Sequence, residues 1–138
     1  MRGRGRSRPR AARPAPASST CSLAGARFRQ PTGLDLDADL GVLYVADTGN
    51  HVVRAIDLDG GTVTTPIGTP ATLGFFGDGG AADAALLHGP RAVTRCASGD
   101  MYIADTDNHR VRRVEAGTGI ISTVLGDGVA ASSGEGCP

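Results

Sequence analysis

The 138-residue chain lacks the sequence patterns of a secretory signal and of a membrane span. No apolar core of about seven residues follows the arginines at its start, so a secretory signal is not predicted. No apolar stretch reaches the length of a membrane span. These absences favour a cytoplasmic or organellar location.

The residue patterns of metal, redox and nucleophilic sites are also missing. The three cysteines, Cys21, Cys96 and Cys137, have an odd count and no metal-ligand spacing; Cys21 and Cys96 are predicted to be buried free thiols. There is no nucleophile elbow, and Gly77–Gly80 lacks the Lys-Ser/Thr of a phosphate loop. We therefore predict no catalytic residue, no metal and no cofactor.

Lysine is absent, and all 14 basic residues are arginine, as a GC-rich coding bias would produce. Six arginines lie in residues 1–19, which contain no acid, whereas residues 20–138 hold eight arginines against 14 acids. This Arg/Gly/Pro-rich head (1–19) is predicted to be disordered. It could contact nucleic acid, serve as an organelle transit segment, or have no role.

A repeat dominates the remaining sequence. Tyr44-Val-Ala-Asp-Thr-Gly-Asn-His-Val-Val-Arg-Ala-Ile-Asp57 returns as Tyr102-Ile-Ala-Asp-Thr-Asp-Asn-His-Arg-Val-Arg-Arg-Val-Glu115, at an offset of 58. Most positions are identical or exchange like for like, so the fold is predicted to be an array of similar units.

Each unit reads as four short strands separated by turn formers. In the first unit the strand-like runs, rich in Val, Ile, Thr and Tyr, are 33–37, 42–46, 51–56 and 62–65. Apolar residues lie on both sides of the third run, as in a sheet covered on both faces. Four-stranded antiparallel meanders stacked around an axis form a β-propeller, and we predict an all-β fold of this type.

The residues then resemble a known family. Pro31-Thr-Gly-Leu34, the segment Leu43 to Arg54, a Gly-Gly turn and a Thr-rich strand ending in Gly are similar to the NHL repeat. The spacer Gly74-Phe-Phe-Gly-Asp-Gly-Gly is similar to the linkers of long-spaced bacterial and teneurin-like NHL arrays. The resemblance covers roughly residues 20–138 and implies an NHL-type β-propeller, with no activity implied.

The repeat boundaries predict a partial array within residues 20–138. We expect blades at about 28–68 and 88–126, a spacer at 69–87 with a short helical turn at 81–87, and a partial tail at 127–138. Residues 19–25 align with 120–126, which predicts that they form the last strand of an earlier blade. Two blades make an incomplete ring, since propellers have about four to eight. A fragment of a larger, six-bladed-like propeller, or a chain completed by self-association, is expected.

The repeated polar residues are interpreted as structural anchors. These are Asp47, Asn50, His51, Asp105, Asn108 and His109. A catalytic residue is needed once, whereas a turn anchor is needed in every blade, and carboxylates commonly fix such turns. His88 is interpreted as a packing residue. The alternating carboxylates from Asp35 to Asp39 fail the spacing test for an EF-hand and predict a solvated strand end.

The third strands carry the one candidate binding cluster, Arg54, Arg110, Arg112 and Arg113. These arginines could face a partner, or pair with Asp57, Asp59 or Glu115. With an acidic propeller portion and few aromatic residues, nucleic-acid binding by this cluster is disfavoured. The sequence therefore favours a non-catalytic scaffold for a protein partner or for self-association. A propeller enzyme (a lyase or lactonase-like hydrolase) and RNA binding through the head are the alternatives.

Overall fold

The computed structural model describes residues 20–131, so the predicted disordered head, Cys137 and most of the predicted tail lie outside the described residues. The described part is all-β apart from four single turns of 3-10 helix, at Leu23–Gly25, Thr48–Asn50, Ala82–Ala84 and Thr106–Asn108. The strands are β1 (Cys21–Ser22), β2 (Pro31–Asp37), β3 (Val42–Asp47), β4 (Val52–Asp57), β5 (Thr62–Ile67), β6 (Ala92–Arg95), β7 (Met101–Asp105), β8 (Arg110–Val114) and β9 (Ile121–Leu125).

The strands form two antiparallel sheets that follow the chain order. The first sheet has the order β1-β5-β4-β3-β2 and the second β6-β7-β8-β9. We call β2–β5 the first blade and β6–β9 the second blade. Each is a four-stranded meander, as the turn-divided runs predict. The predicted all-β propeller class is confirmed.

The two faces of each blade differ, and one face of each forms a shared core. We call the face that carries the Asp–Arg pair (Asp47 and Arg54, or Asp105 and Arg112) the upstream face, and the opposite one the downstream face. The downstream face of the first blade packs on the upstream face of the second. The cluster includes Tyr44, Ala46, Val53, Ala55 and Ile67 from the first blade and Val93, Met101, Ile103, Val114 and Ile121 from the second.

The spacer completes this core. Ala82, Ala85 and Leu87 are buried in the same cluster. The predicted helical segment at 81–87 is a single 3-10 turn at Ala82–Ala84, and its C-cap residue, Ala85, already has extended φ and ψ. The spacer therefore fills the gap between the blades with turns, isolated β-bridges and this one 3-10 turn.

The structure assigns β1 differently from the sequence alignment. Ser22 pairs with Thr62 at the outer edge of the first blade, and Ala81 pairs with Ile120 in the same place on the second. The backbone N–H of Leu23 donates to Gly61 O, and that of Ala82 donates to Gly119 O. Residues 21–25 thus correspond to residues 80–84 of the spacer. The alignment with 120–126 was wrong because small and β-branched residues occur in both segments.

The cysteines and the Asp35–Asp39 segment also differ from expectation. Cys96 is exposed and Cys21 half-buried, and both are free thiols. Asp35 Oδ2 accepts hydrogen bonds from the Arg95 N–H at 2.7 Å and from Thr94 Oγ1 at 3.2 Å. Asp37 forms an ion pair with Arg95. The expected solvated strand end is therefore a polar connection between the innermost strands of the two blades.

Candidate functional site

The Asp47 carboxylate is the centre of a buried polar network in the first blade. It has no exposed surface. Oδ1 accepts from the Arg29 N–H at 2.7 Å, and Oδ2 accepts from Asn50 Nδ2 at 2.9 Å and Arg54 Nε at 3.0 Å. The chain segment before β2 is thereby tied to the β3–β4 turn. The bonds come from neighbouring elements, so the carboxylate fixes more than its own hairpin.

The second blade repeats this network around Asp105. Oδ1 accepts from the His88 N–H at 2.8 Å, and Oδ2 accepts from Asn108 Nδ2 at 2.8 Å and Arg112 Nη1 at 3.4 Å. Burial raises the pKa of the Asp105 carboxyl, although these donors and the Arg112 charge act in the opposite direction. In each blade the carboxylate accepts from a backbone N–H, an asparagine amide and an arginine guanidinium at repeat-equivalent positions. The repeat therefore builds both networks.

One member of the second network comes from the spacer, and among residues 20–131 no carboxylate takes its place in the first network. Asp78 Oδ1 accepts from Arg112 Nη2 at 2.7 Å, and its Oδ2 accepts from Thr123 N and Oγ1 at 3.1 and 2.5 Å. Desolvation would raise the pKa of Asp78, but the hydrogen bonds from Thr123 and Arg112 and the Arg112 charge hold it below its ordinary value. A Gly-Asp-Gly-Gly sequence signals a turn, and Arg112 lies 34 residues further along the chain. Sequence reasoning therefore missed this residue.

The four arginines of the predicted binding cluster do not share one surface. Arg112 is fully buried, and it also donates to Leu86 O at 2.7 Å and Phe76 O at 3.0 Å. The Arg54 side chain is 14% exposed and pairs with Asp47. Neither uses the partners expected from the sequence.

The other two arginines lie at the surface. Arg113 pairs with Asp100 at 2.7 Å and approaches Glu115, the expected partner, at 3.9 Å. Arg110 donates to Asp127 O at 2.7 Å and stacks on Phe75, with its guanidinium carbon 3.8 Å from the ring centroid. These contacts divide the cluster between a buried pair and two separate surface positions.

The histidines occupy equivalent backbone positions in different surroundings. His51 and His109 each follow a 3-10 turn with left-handed φ values of 60° and 54°. His51 Nδ1 accepts from the Gly89 N–H at 3.0 Å, and its ring meets that of His88 edge-on at 5.5 Å. His109 is exposed.

Within residues 20–131, no three His, Cys, Asp or Glu side chains are grouped as metal ligands. In the same residues, no helix is long and apolar enough to cross a membrane.

One open cavity of about 340 Å³ lies between the two innermost strands, at the end where β2 finishes. Its polar lining includes Asp35, Asp37 and Arg95. These three are already bonded to one another across the blades. The cavity therefore presents satisfied polar groups.

Two antiparallel meanders that pack face to face through one shared core are blades of a β-propeller. The NHL repeat profile matches residues 28–56, which span β2, β3 and most of β4. This chain therefore carries an NHL repeat.

Comparisons with known proteins agree with this assignment. The chain is 34% identical over 108 residues to Protein SUPPRESSOR OF QUENCHING 1, chloroplastic, of Arabidopsis thaliana, which covers 75% of this chain and 10% of that protein. It is 29% identical over 98 residues to NHL repeat-containing protein 2 of Bos taurus, and the aligned region covers 70% of this chain and 13% of that protein. The chain thus spans about a tenth of the length of these two relatives.

A solved structure also has this fold. A protein of unknown function from Bacteroides thetaiotaomicron superposes with a TM-score of 0.55 at 27% identity, over 68% of this chain and 26% of that one. The repeated networks of Asp47 and Asp105 therefore lie on a propeller framework.

Proposed function

We propose that this chain is a non-catalytic binding scaffold that takes a protein partner on the upstream face of its first blade. The observation that carries this proposal is the exposure of two leucines of β2 on that face. Leu34 is 64% exposed and Leu36 is 52% exposed, whereas Val93, the repeat counterpart of Leu34, is 5% exposed. Large apolar side chains that lie side by side at the surface are typical of interaction sites.

The buried networks support a scaffold over a catalyst. In both blades the carboxylate, the amide and the guanidinium are bonded to one another and to backbone groups. Bonded in this way, they hold the strand ends in place. Catalysis by this scaffold would need unlike residues at equivalent blade positions, and the two networks are alike.

Site-specific photo-cross-linking in cells tests this proposal. A photoreactive phenylalanine analogue replaces Leu34 in one variant and Leu58 in the control. Leu58 is 49% exposed but lies in the β4–β5 turn, away from the sheet face. We expect discrete protein adducts at position 34 and none above background at position 58. Equal or absent adducts at both positions would overturn the proposal.

A further inference from the structure

The two blades differ in the segment that leads into each of them. The backbone N–H groups of Arg29 and His88 donate to the central carboxylates of the two networks, at 2.7 and 2.8 Å, so these residues occupy equivalent places. Residues 27–29, Arg-Phe-Arg, therefore correspond to residues 86–88, Leu-Leu-His. We call residues 27–29 the entry segment. The repeat keeps its backbone position and changes its side chains.

The entry segment is held on the upstream face of the first blade. Arg54 Nη2 donates to Arg27 O at 3.2 Å, and the Gly49 N–H donates to Arg29 O at 2.7 Å. The guanidinium carbon of Arg54 lies 5.7 Å from the centroid of the Phe28 ring. Phe28 thus lies over Arg54, and the backbone on either side of it is bonded to the blade. The segment therefore has a defined place at the surface.

Phe28 and Leu34 lie near each other on this face. Leu34 is the cross-strand neighbour of Val45, and Val45 is that of Arg54, so these side chains share the upstream face. Adjacent strands are about 4.8 Å apart, which puts the strand of Leu34 about 10 Å from that of Arg54. Leu34 is 64% exposed and Phe28 36%, whereas Leu87, the counterpart of Phe28, is fully buried in the shared core. The described residues leave this apolar surface uncovered.

Two unpaired cations flank Phe28. Arg27 and Arg29 are exposed, and within residues 20–131 no ion pair joins either guanidinium to a carboxylate. Arg54 differs, because it is paired with Asp47 at 3.0 Å. Taking an unpaired charge out of water is costly. A partner that covers the entry segment must therefore supply carboxylates.

We propose that the partner bound on the upstream face presents an acidic segment that also carries apolar side chains. The apolar side chains cover Phe28 and Leu34. The carboxylates pair with Arg27 and Arg29, whose guanidinium groups can each bind a carboxylate through two hydrogen bonds. This inference rests on the proposed function, because it names the chemistry of the partner at the same surface.

Other occupants fit this surface less well. Where the two blades of this chain meet, Leu86 and Leu87 stand in place of Arg27 and Phe28, so that contact provides for no cations. A nucleic acid would extend over the rest of the chain, and residues 20–138 hold eight arginines against 14 acids. A short acidic segment meets mainly the local arginines, since screening limits charge effects to about 8 Å at physiological ionic strength.

Photo-cross-linking of the full chain in cells, with the photoreactive analogue at position 34, tests this inference. Arg27→Glu and Arg29→Glu should each lower the yield of the protein adduct about ten-fold or more, since each removes a charge-assisted contact and adds a like charge. Arg91→Glu, at an exposed position before β6, changes the net charge equally and should leave the yield unaltered. Peptide mapping by mass spectrometry should place the cross-link in a partner segment with Asp or Glu beside apolar residues. Circular dichroism checks that every variant is folded.

The contrary results separate this inference from the proposed function. Adducts that persist with Arg27→Glu and Arg29→Glu, or that are lost equally with Arg91→Glu, would reject an acidic partner and leave the proposed function standing. An adduct with the mass of two chains would identify a second copy as the occupant and would also reject it. Adducts removed by ribonuclease, or no adduct at position 34 in any variant, would overturn the inference and the proposed function together.

Discussion

His51 and His109 show how one residue in one backbone conformation can have two environments. His51 accepts the Gly89 N–H on Nδ1, so its neutral form is the one that fits. Burial lowers the pKa of His51, with smaller contributions in the same direction from His88 and Arg29, opposed by Asp107 and Asp105. A depressed histidine pKa means that stability is present above the ordinary value of 6.5 and is lost as the pH falls through the folded-state pKa.

The first prediction concerns this pH dependence. The wild type should lose stability as the pH falls below about 6.5, and His51→Asn should flatten this loss, because asparagine tolerates left-handed φ and has no titrating ring. His109→Asn, at the same φ, should retain the wild-type profile. Thermal unfolding at several pH values measures both. Identical profiles for the two variants would contradict the assignment.

Asp78 is the residue through which the spacer holds the second blade. Asp78→Asn should lower the free energy of unfolding by about 1–2 kcal/mol near pH 7, since charged hydrogen bonds contribute more than neutral ones and partial exposure reduces the effect. The control is Asp83→Asn, which is exposed in the same spacer. Denaturant titration measures the difference.

The loss of stability caused by Asp78→Asn should also depend on pH. Because the pKa of Asp78 is depressed, its contribution is present above the ordinary aspartate pKa and disappears as the pH falls through the lowered value. The gap between wild type and Asp78→Asn should therefore close in acid. A gap that stays constant down to about pH 2 would show that the carboxylate charge is not involved.

At the scale of elements, the blades are in close backbone contact where β2 meets the start of β6. A Cβ added to Gly33 would lie 2.7 Å from Arg91 O and 2.8 Å from Ala92 Cα. Both are backbone atoms, which cannot move aside cheaply. Thr32 Oγ1 donates to Arg91 O at 2.8 Å in the same place. Glycine at position 33 is therefore required by packing between strands of different blades.

Gly33→Ala should destabilise the chain by about 1–3 kcal/mol through overpacking. Gly117→Ala is the matched control, because an added Cβ there meets nothing within 4 Å. It should be neutral or slightly stabilising, since alanine restricts the unfolded chain. Chemical denaturation of both variants decides the point, and equal midpoints would contradict a tight contact at Gly33.

The strands were predictable because their signals are local. Turn-forming residues flank runs of strand length, and the same pattern occurs in both repeats, so each strand is indicated twice. The β1 segment was not predictable, because its partner is chosen by edge pairing with Thr62 and Val63 rather than by its own composition. The burial of Arg112 was likewise hidden, since it depends on carbonyl groups and a carboxylate that the spacer brings from residues 76–86.

At the scale of the whole molecule, one core belongs to both blades. Ile103 is fully buried in a cluster with Tyr44 and Ala46 of the first blade. Neither blade has a separate interior, because each contributes one face to the same layer. The two blades should therefore unfold together.

Ile103→Ala tests this coupling. It should cost about 2–5 kcal/mol, as large-to-small changes in a core do. It should also lower the stability of both blades by the same amount. Hydrogen exchange measured on peptides from 42–57 and 101–114 reports each blade separately. Unchanged exchange in the first blade would show that the blades are independent units.

The correspondence of residues 21–25 with 80–84 has a consequence for engineering longer arrays. In each case a short stretch of chain pairs along the outermost strand, at Thr62 or at Ile120. Bare outer strands invite edge-to-edge aggregation. A concatenated unit that starts near Gly79 would bring its own edge cover, whereas one that starts at Pro90 would leave that edge open. The joint between modules therefore lies inside the spacer loop, and splicing there should keep a designed array soluble.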